Sequence, residues 1–287
     1  MNIQSYQLQE GIAATLRLPE GLSQPPVIIL CHGFCGIQDI LLPSFAEAFV
    51  KAGFAAVTFD YRGFGASEGE RGRLIPSMQI DDIITVIDWV KTLSEVDAAR
   101  TGLWGTSLGG GHVFGAAVQR PAIGCIVSQL GFADGEEIVT GKMTAEEKAG
   151  FVATLEKMAD KREKTGKEMF VAITKVLGDD ESKAFFDANK SLFPAMDIKI
   201  PFLTVRETLN YKPAESAARV ICPVMVVVAG NDSVNAPEQG KALYEATGSI
   251  TKTLLVEEGA NHYEMYEGLH FDHIVLRQIS WFKEHLI

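Results

Sequence analysis

Short, uninterrupted apolar runs alternate along this chain with stretches whose apolar positions recur every three to four residues. Val27–Cys31 is a continuous apolar run of the kind found in strands buried on both faces, and Phe54–Phe59, Ile123–Leu130 and Val224–Ala229 are predicted strands. Thr101–Trp104 and Thr253–Val256 are shorter segments of the same character. Between them, Phe45, Ala48 and Phe49 share a helix face, and Ile80, Ile83, Ile84 and Ile87 repeat at i, i+3, i+4 and i+7. A helix is predicted from about Pro237 to Thr247, and Val275, Ile279, Phe282 and Leu286 mark the inner stripe of a terminal one. At the start, Ile3–Gln9 and Ile12–Leu18 alternate in polarity and predict an antiparallel hairpin across Glu10-Gly11. Strand–helix alternation of this kind predicts an α/β fold with a mostly parallel sheet and helices on both faces.

The pattern breaks near Asp134 and resumes after about Glu215. Within that interval Met143, Phe151, Leu155 and Met158, then Met169, Phe170, Ile173, Val176 and Leu177, are spaced as on amphipathic helices. Phe185, Phe186, Leu192 and Phe193 add an apolar cluster. The interval runs to about 80 residues, whereas an ordinary connection has about 4–6. It is read as an inserted helical cap at 133–215, with a core formed by 1–132 and 216–287.

Composition changes this picture little. The 287 residues are 47% hydrophobic, and no run reaches the roughly 20 apolar residues of a membrane helix. The first residues, Met1-Asn2-Ile3-Gln4-Ser5-Tyr6, show no basic-then-apolar leader, so a cytoplasmic location is the expectation. A net charge of −11 argues against nucleic acid and anionic membranes as partners, and leaves a small-molecule substrate. A homo-oligomer is compatible with the sequence. Cys31, Cys35, Cys125 and Cys222 form no Cys-x-x-Cys pair and are expected to be reduced packing residues.

The chemistry centres on Gly105-Thr106-Ser107-Leu108-Gly109, which follows a strand and opens a helix. Small residues two positions on either side of the serine fit a crowded turn that lifts its hydroxyl from the sheet edge. A serine nucleophile needs a base, because its hydroxyl is a weak nucleophile at neutral pH. Of six histidines, His262 in Gly259-Ala260-Asn261-His262 is the candidate, in a loop after the last strand. His112 lies within the serine's own helix and reads as structural, His270 and His273 as solvated helix residues, and His285 as exposed. The carboxylate that orients the base is expected to be Asp232, in Ala229-Gly230-Asn231-Asp232, with Asp134 as the rival. Oxyanion donors are expected at the backbone N–H groups of Leu108 and Phe34, the latter in His32-Gly33-Phe34. His32 itself is expected to support the turn. No metal or organic cofactor is called for.

Together with Asp60-Tyr61-Arg62-Gly63-Phe64-Gly65-Ala66-Ser67, these segments resemble the α/β-hydrolase superfamily on both sides of the interruption. The resemblance implies an eight-stranded, mostly parallel sheet, a cap inserted after the sixth strand, and a structural role for the Asp60–Ser67 loop. It implies a serine hydrolase, most simply a carboxylic-ester hydrolase, working on a small or medium ester, lactone, thioester or amide. Carbon–carbon hydrolysis of a diketone shares the same residues, as do peptidase and cofactor-independent peroxidase-like activities. A ligand receptor or carrier on the same fold is the alternative outside enzymes.

Overall fold

The computed structural model describes every residue from Met1 to Ile287. Strands β1 (Asn2–Gln7) and β2 (Ala13–Leu18) form the antiparallel hairpin, with Asn2 opposite Leu18 and Gln7 opposite Ala13. β3 (Pro26–Cys31), β4 (Ala55–Phe59), β5 (Asp97–Thr106) and β6 (Cys125–Gln129) follow, separated by helices α1 (Leu42–Lys51), α2 (Pro76–Val90) and α3 (Leu108–Gln119). Helices α4 (Gly135–Thr140), α5 (Ala145–Thr165), α6 (Asp180–Asn189), α7 (Thr204–Leu209) and α8 (Pro213–Ala217) come next. Two short strands, β7 (Phe170–Ala172) and β8 (Lys199–Pro201), lie among them and pair antiparallel. β9 (Val224–Ala229), α9 (Pro237–Ala246), β10 (Lys252–Glu257) and α10 (Gly268–Leu286) complete the chain.

Eight strands join one sheet in the order β1-β2-β4-β3-β5-β6-β9-β10. All pairings from β4 to β10 are parallel, and only β2 with β1 and β4 are antiparallel. β6 lies directly beside β9, so the helices between them are an excursion from adjacent strands. Every residue of β3, β4, β6 and β9 is buried, which is why β3 and β9 read as unbroken apolar runs; Thr58 of β4 and Ser128 and Gln129 of β6 are polar residues buried with them.

Successive side chains of a strand point to opposite faces, and β3 serves two cores accordingly. Val27 and Ile29 pack with Ile83 of α2, Phe114 of α3 and Leu243 of α9. Ile28 and Leu30 pack with Phe45 and Phe49 of α1 and Phe282 of α10. The site chemistry lies where β3, β5, β9 and β10 end, the edge at which parallel α/β sheets place their ligands.

Several local expectations are corrected. Met169–Leu177 is not an amphipathic helix: Phe170–Ala172 is strand and Ile173–Lys175 a 3-10 turn. The order Phe-Val-Ala-Ile-Thr is rich in aromatic and β-branched residues, whose preference for extended backbone prevails over the helical spacing. Met143 lies in the turn between α4 and α5. His270 and His273 lie on α10 as expected, His273 exposed, and both in addition bond Glu257, at 2.7 and 2.5 Å, which ties α10 to the end of β10. His285 packs its ring 4.1 Å from that of Trp281 and is half-buried.

Candidate active site

Ser107 stands between β5 and α3 with φ 54° and ψ −121°, a backbone conformation that costs a non-glycine residue about 1–3 kcal/mol. Its surroundings fix this geometry. A Cβ on Gly105 would lie 2.2 Å from the carbonyl oxygen of Gly109, and one on Gly109 would lie 2.3 Å from that of His32. The Ser107 N–H donates to the Gln129 carbonyl at 2.8 Å, and its own carbonyl accepts from the Gly110 N–H at 2.9 Å. The turn is therefore clamped between β6 and α3, and Ser107 is left half-buried among buried neighbours.

Asp232 follows β9 and His262 follows β10, and both side chains are almost fully buried. His262 Nδ1 lies 2.7 Å from Asp232 Oδ2. A carboxylate only accepts, so the shared proton sits on Nδ1 and the Nε2 lone pair is free to take one. The other Asp232 oxygen accepts the N–H groups of Val234 and Asn235, each at 2.8 Å, which fixes the carboxylate's orientation. Asp134 is placed elsewhere. It caps α4 by accepting the N–H of Glu136 and pairs with Lys212.

Ser107 and His262 line the same pocket without a direct hydrogen bond between them. The amide of Asn235 donates to Ser107 Oγ at 3.3 Å and to the Leu130 carbonyl at 2.8 Å. Asn235 did not emerge from the sequence; its only local signal is its place three residues after Asp232.

A second unforeseen residue is Glu181, in the first turn of α6. One of its oxygens accepts from the Ser233 hydroxyl at 2.7 Å, the other from the Tyr263 N–H at 2.9 Å. A single carboxylate thus bridges the residues that immediately follow Asp232 and His262. Phe185, one turn on, stacks on the Tyr263 ring at 4.2 Å.

The loop after β3 brings His32, Gly33 and Phe34 to the same pocket. His32 Nδ1 accepts from the Gly33 N–H at 2.7 Å, and Nε2 faces the Ile40 carbonyl at 3.0 Å. The ring is therefore neutral with its proton on Nε2, and burial pushes its pKa down to about 4. The Phe34 N–H donates to no protein group, and Leu108 opens α3, where first-turn N–H groups lack helical partners. Asp60 accepts from the backbone of Gln38 at 2.7 Å and Ala66 at 3.0 Å, bracing this loop from beneath.

Other reactive groups are muted. Burial raises the Cys35 thiol far above its ordinary range and pushes Cys222 up to about 11. His112 is wholly buried between Tyr211 and Gln79, at 2.9 Å from each, and its pKa falls to about 3. No group of three or more His, Cys, Asp or Glu side chains is arranged to hold a metal ion.

The pocket encloses about 330 Å³, and 18 of its 26 lining residues are hydrophobic. Ser107, His262 and Phe34 lie on the sheet side. Phe151, Phe185, Phe186, Met196 and Phe202, all between β6 and β9, supply much of the opposite wall. The geometry combines a strained serine, an imidazole with a free lone pair, unpaired backbone donors and an apolar chamber able to hold a small organic molecule.

Comparison with known proteins agrees with this architecture. A family model described as serine aminopeptidase, S33 (Hydrolase_4) matches residues 24–268. An Escherichia coli protein described as an uncharacterized 31.7 kDa protein in the traX-finO intergenic region is 62% identical over the full length of both chains. The quorum-quenching protein AidA of Acinetobacter baumannii is 30% identical, over 90% of this chain and 86% of its own. Among solved structures, that of DcsB in complex with its substrate analogue superposes with a TM-score of 0.86 at 22% identity, covering 99% of each chain. Its fold, its strained serine turn and the matched family model together identify this chain as a member of the Hydrolase_4, serine aminopeptidase S33-like family of α/β-hydrolases.

Proposed function

We propose that this protein is a serine hydrolase that cleaves a small or medium, partly hydrophobic carboxylic ester, lactone, thioester or amide through an acyl-enzyme. Within that reading, residues 133–215 act as a cap over a core of 1–132 and 216–287. The observation that carries it is the 2.7 Å bond from His262 to Asp232 at a pocket that also contains Ser107. His262 Nε2 removes the Ser107 proton as Oγ attacks the carbonyl carbon, and Asp232 stabilises the imidazolium. The oxygen that gains charge is held by the N–H groups of Phe34 and Leu108; losing one such donor typically costs about 3 kcal/mol. His262 returns the proton to the leaving oxygen, sulfur or nitrogen as the tetrahedral carbon collapses to the acyl-enzyme. Water then enters, gives a proton to His262 and releases the acid, restoring Ser107. Asn235 keeps the serine oxygen in place by donating to it between turnovers.

The pocket's apolar lining favours acyl groups of modest length over polymers, because an enclosed chamber of about 330 Å³ is near the lower end of small-molecule sites. The test is pre-steady-state hydrolysis of a p-nitrophenyl ester. A burst of nitrophenol equal to the enzyme concentration in the wild type, absent in Ser107→Ala, is expected. Equal bursts in both proteins would refute the assignment.

A further inference from the structure

Apart from its histidines, the pocket carries a single ionisable side chain of fixed charge. None of its lining residues is Asp or Glu, and one, Lys175, is basic, in a chain with 37 acidic residues and a net charge of −11. Lys175 ends the 3-10 turn Ile173–Lys175, is exposed, and is followed by Val176 and Leu177, which line the same pocket. It is therefore a solvent-exposed member of a mostly apolar lining.

Acidic residues follow closely in sequence, yet each is engaged elsewhere. Asp179 caps α6 through the Ser182 N–H at 2.7 Å, and Asp180 lies 3.7 Å from Lys183. Glu181 holds Ser233 and Tyr263. Lys175 itself makes no ion pair, unlike Lys148, Lys183, Lys190 and Lys212; the other lysines of the excursion are unpaired too, and it is its place in the pocket lining that sets Lys175 apart. A net negative protein repels anions at long range, so an unpaired ammonium beside its pocket creates a local exception.

We propose that Lys175 is a specificity determinant that receives an anionic group, a carboxylate or a phosphate, on an otherwise apolar substrate whose scissile carbonyl reaches Ser107. The inference rests on the serine-hydrolase reading and narrows it to substrates with one charged end. Two sources of that charge are distinguishable: an ω-carboxylate on the acyl chain, or a phosphate on the leaving group.

The test compares three substrates: p-nitrophenyl hexanoate, the mono-p-nitrophenyl ester of adipic acid, and the hexanoyl ester of 4-hydroxyphenyl phosphate. Wild type, Lys175→Gln, Lys175→Glu and Lys175→Arg are assayed at low salt and at about 0.5 M salt, where charge attraction is screened. The wild type should favour one anionic substrate over the neutral ester in kcat/KM, chiefly through KM. That preference should fall about ten-fold in Lys175→Gln, the range for a partly solvated charged hydrogen bond. It should fall further in Lys175→Glu, survive in Lys175→Arg, and shrink at high salt. The anionic substrate that responds identifies the charged end. If the wild type hydrolyses the neutral ester but Lys175→Gln shows the same anionic-to-neutral ratio for both anionic substrates, the Lys175 role is overturned and the hydrolase reading stands. If the wild type hydrolyses none of the three, both fall together.

Discussion

The sheet and the excursion between β6 and β9 are held together by different means. In the sheet, β3, β4, β6 and β9 are buried at every position, and two large clusters seal its faces. In the excursion, the 21-residue α5 buries one residue, Leu155, which joins only Val205 and Leu209 in a cluster of its own. Ile173, Phe186, Met196 and Ile200 of the excursion reach instead into the larger cluster of the sheet, and charged clasps add to these contacts. Arg73, in the loop before α2, grips both carboxylate oxygens of Glu168, and Glu181 grips the loops after β9 and β10. The proposed chemistry thus belongs to the sheet, while much of the pocket's apolar wall belongs to an excursion whose separate core is small and which otherwise packs on the sheet's cluster. Substitutions should separate the two.

The largest effect is expected on the sheet side. Asp232→Asn should lower kcat/KM by about 10⁴-fold, because an amide donor in place of the carboxylate favours the wrong imidazole tautomer. Asp134→Asn, which disturbs only a helix cap and its pairing with Lys212, should stay within about two-fold, as surface ion pairs are worth little. Steady-state kinetics on both variants checks this; a greater loss in Asp134→Asn than in Asp232→Asn would reverse the assignment.

Next come the packing substitutions. Ile29→Ala and Leu155→Ala each remove a fully or nearly fully buried side chain, and each should cost about 2–5 kcal/mol. Their reach should differ. Hydrogen exchange should quicken throughout the sheet in Ile29→Ala, but only in α5 and α7 in Leu155→Ala. Uniform acceleration in both would mean that the excursion folds as one cooperative unit with the sheet.

Acid should act through the sheet side as well. His32 and His112 are held neutral by burial, with pKa values pushed down to about 4 and about 3, against about 6.5 in an unfolded chain. Between those values the unfolded state binds protons that the folded state excludes. Stability contributed by both rings is therefore intact above about pH 6.5 and is lost as pH falls through the window below it. By pH 5 each contributes a loss of up to about 2 kcal/mol. Urea unfolding at pH 7 and pH 5 should show a smaller difference in His112→Gln than in the wild type; an unchanged difference would remove His112 from the account.

The smallest effect concerns the clasp between the regions. Glu181→Gln replaces one acceptor oxygen with an amide, so kcat should fall about five-fold with KM and unfolding midpoint little altered, the scale of one hydrogen bond. A kcat equal to that of the wild type would make Glu181 a tether without influence on the loops it bridges.

What could be read from the sequence follows the same division. β3 and β9 were legible because burial on both faces leaves no polar position to blur the pattern, and in β4 only Thr58 interrupts it. The serine turn was legible because steric crowding at Gly105 and Gly109 admits no side chain. By contrast, β7 is three residues long, too short to reveal a period, and the apolar residues around it mimic helical spacing. Asp232 could be chosen over Asp134 only from chain order; the 2.7 Å contact that sets them apart joins residues 30 positions apart. Glu181 had no local signature and Asn235 only its place after Asp232, since their partners at Tyr263 and Ser107 lie 82 and 128 residues away. The wall residues between β6 and β9 were visible as apolar, but a helix interior and a ligand chamber ask for the same side chains.

The central claim is that the Ser107 oxygen is a nucleophile activated by His262. Peptide mapping by mass spectrometry after exposure to a fluorophosphonate tests it most directly. The account predicts one adduct, on Ser107, absent from Ser107→Ala and formed far more slowly in His262→Ala. An unlabelled wild type, or an adduct that persists in Ser107→Ala, would contradict it.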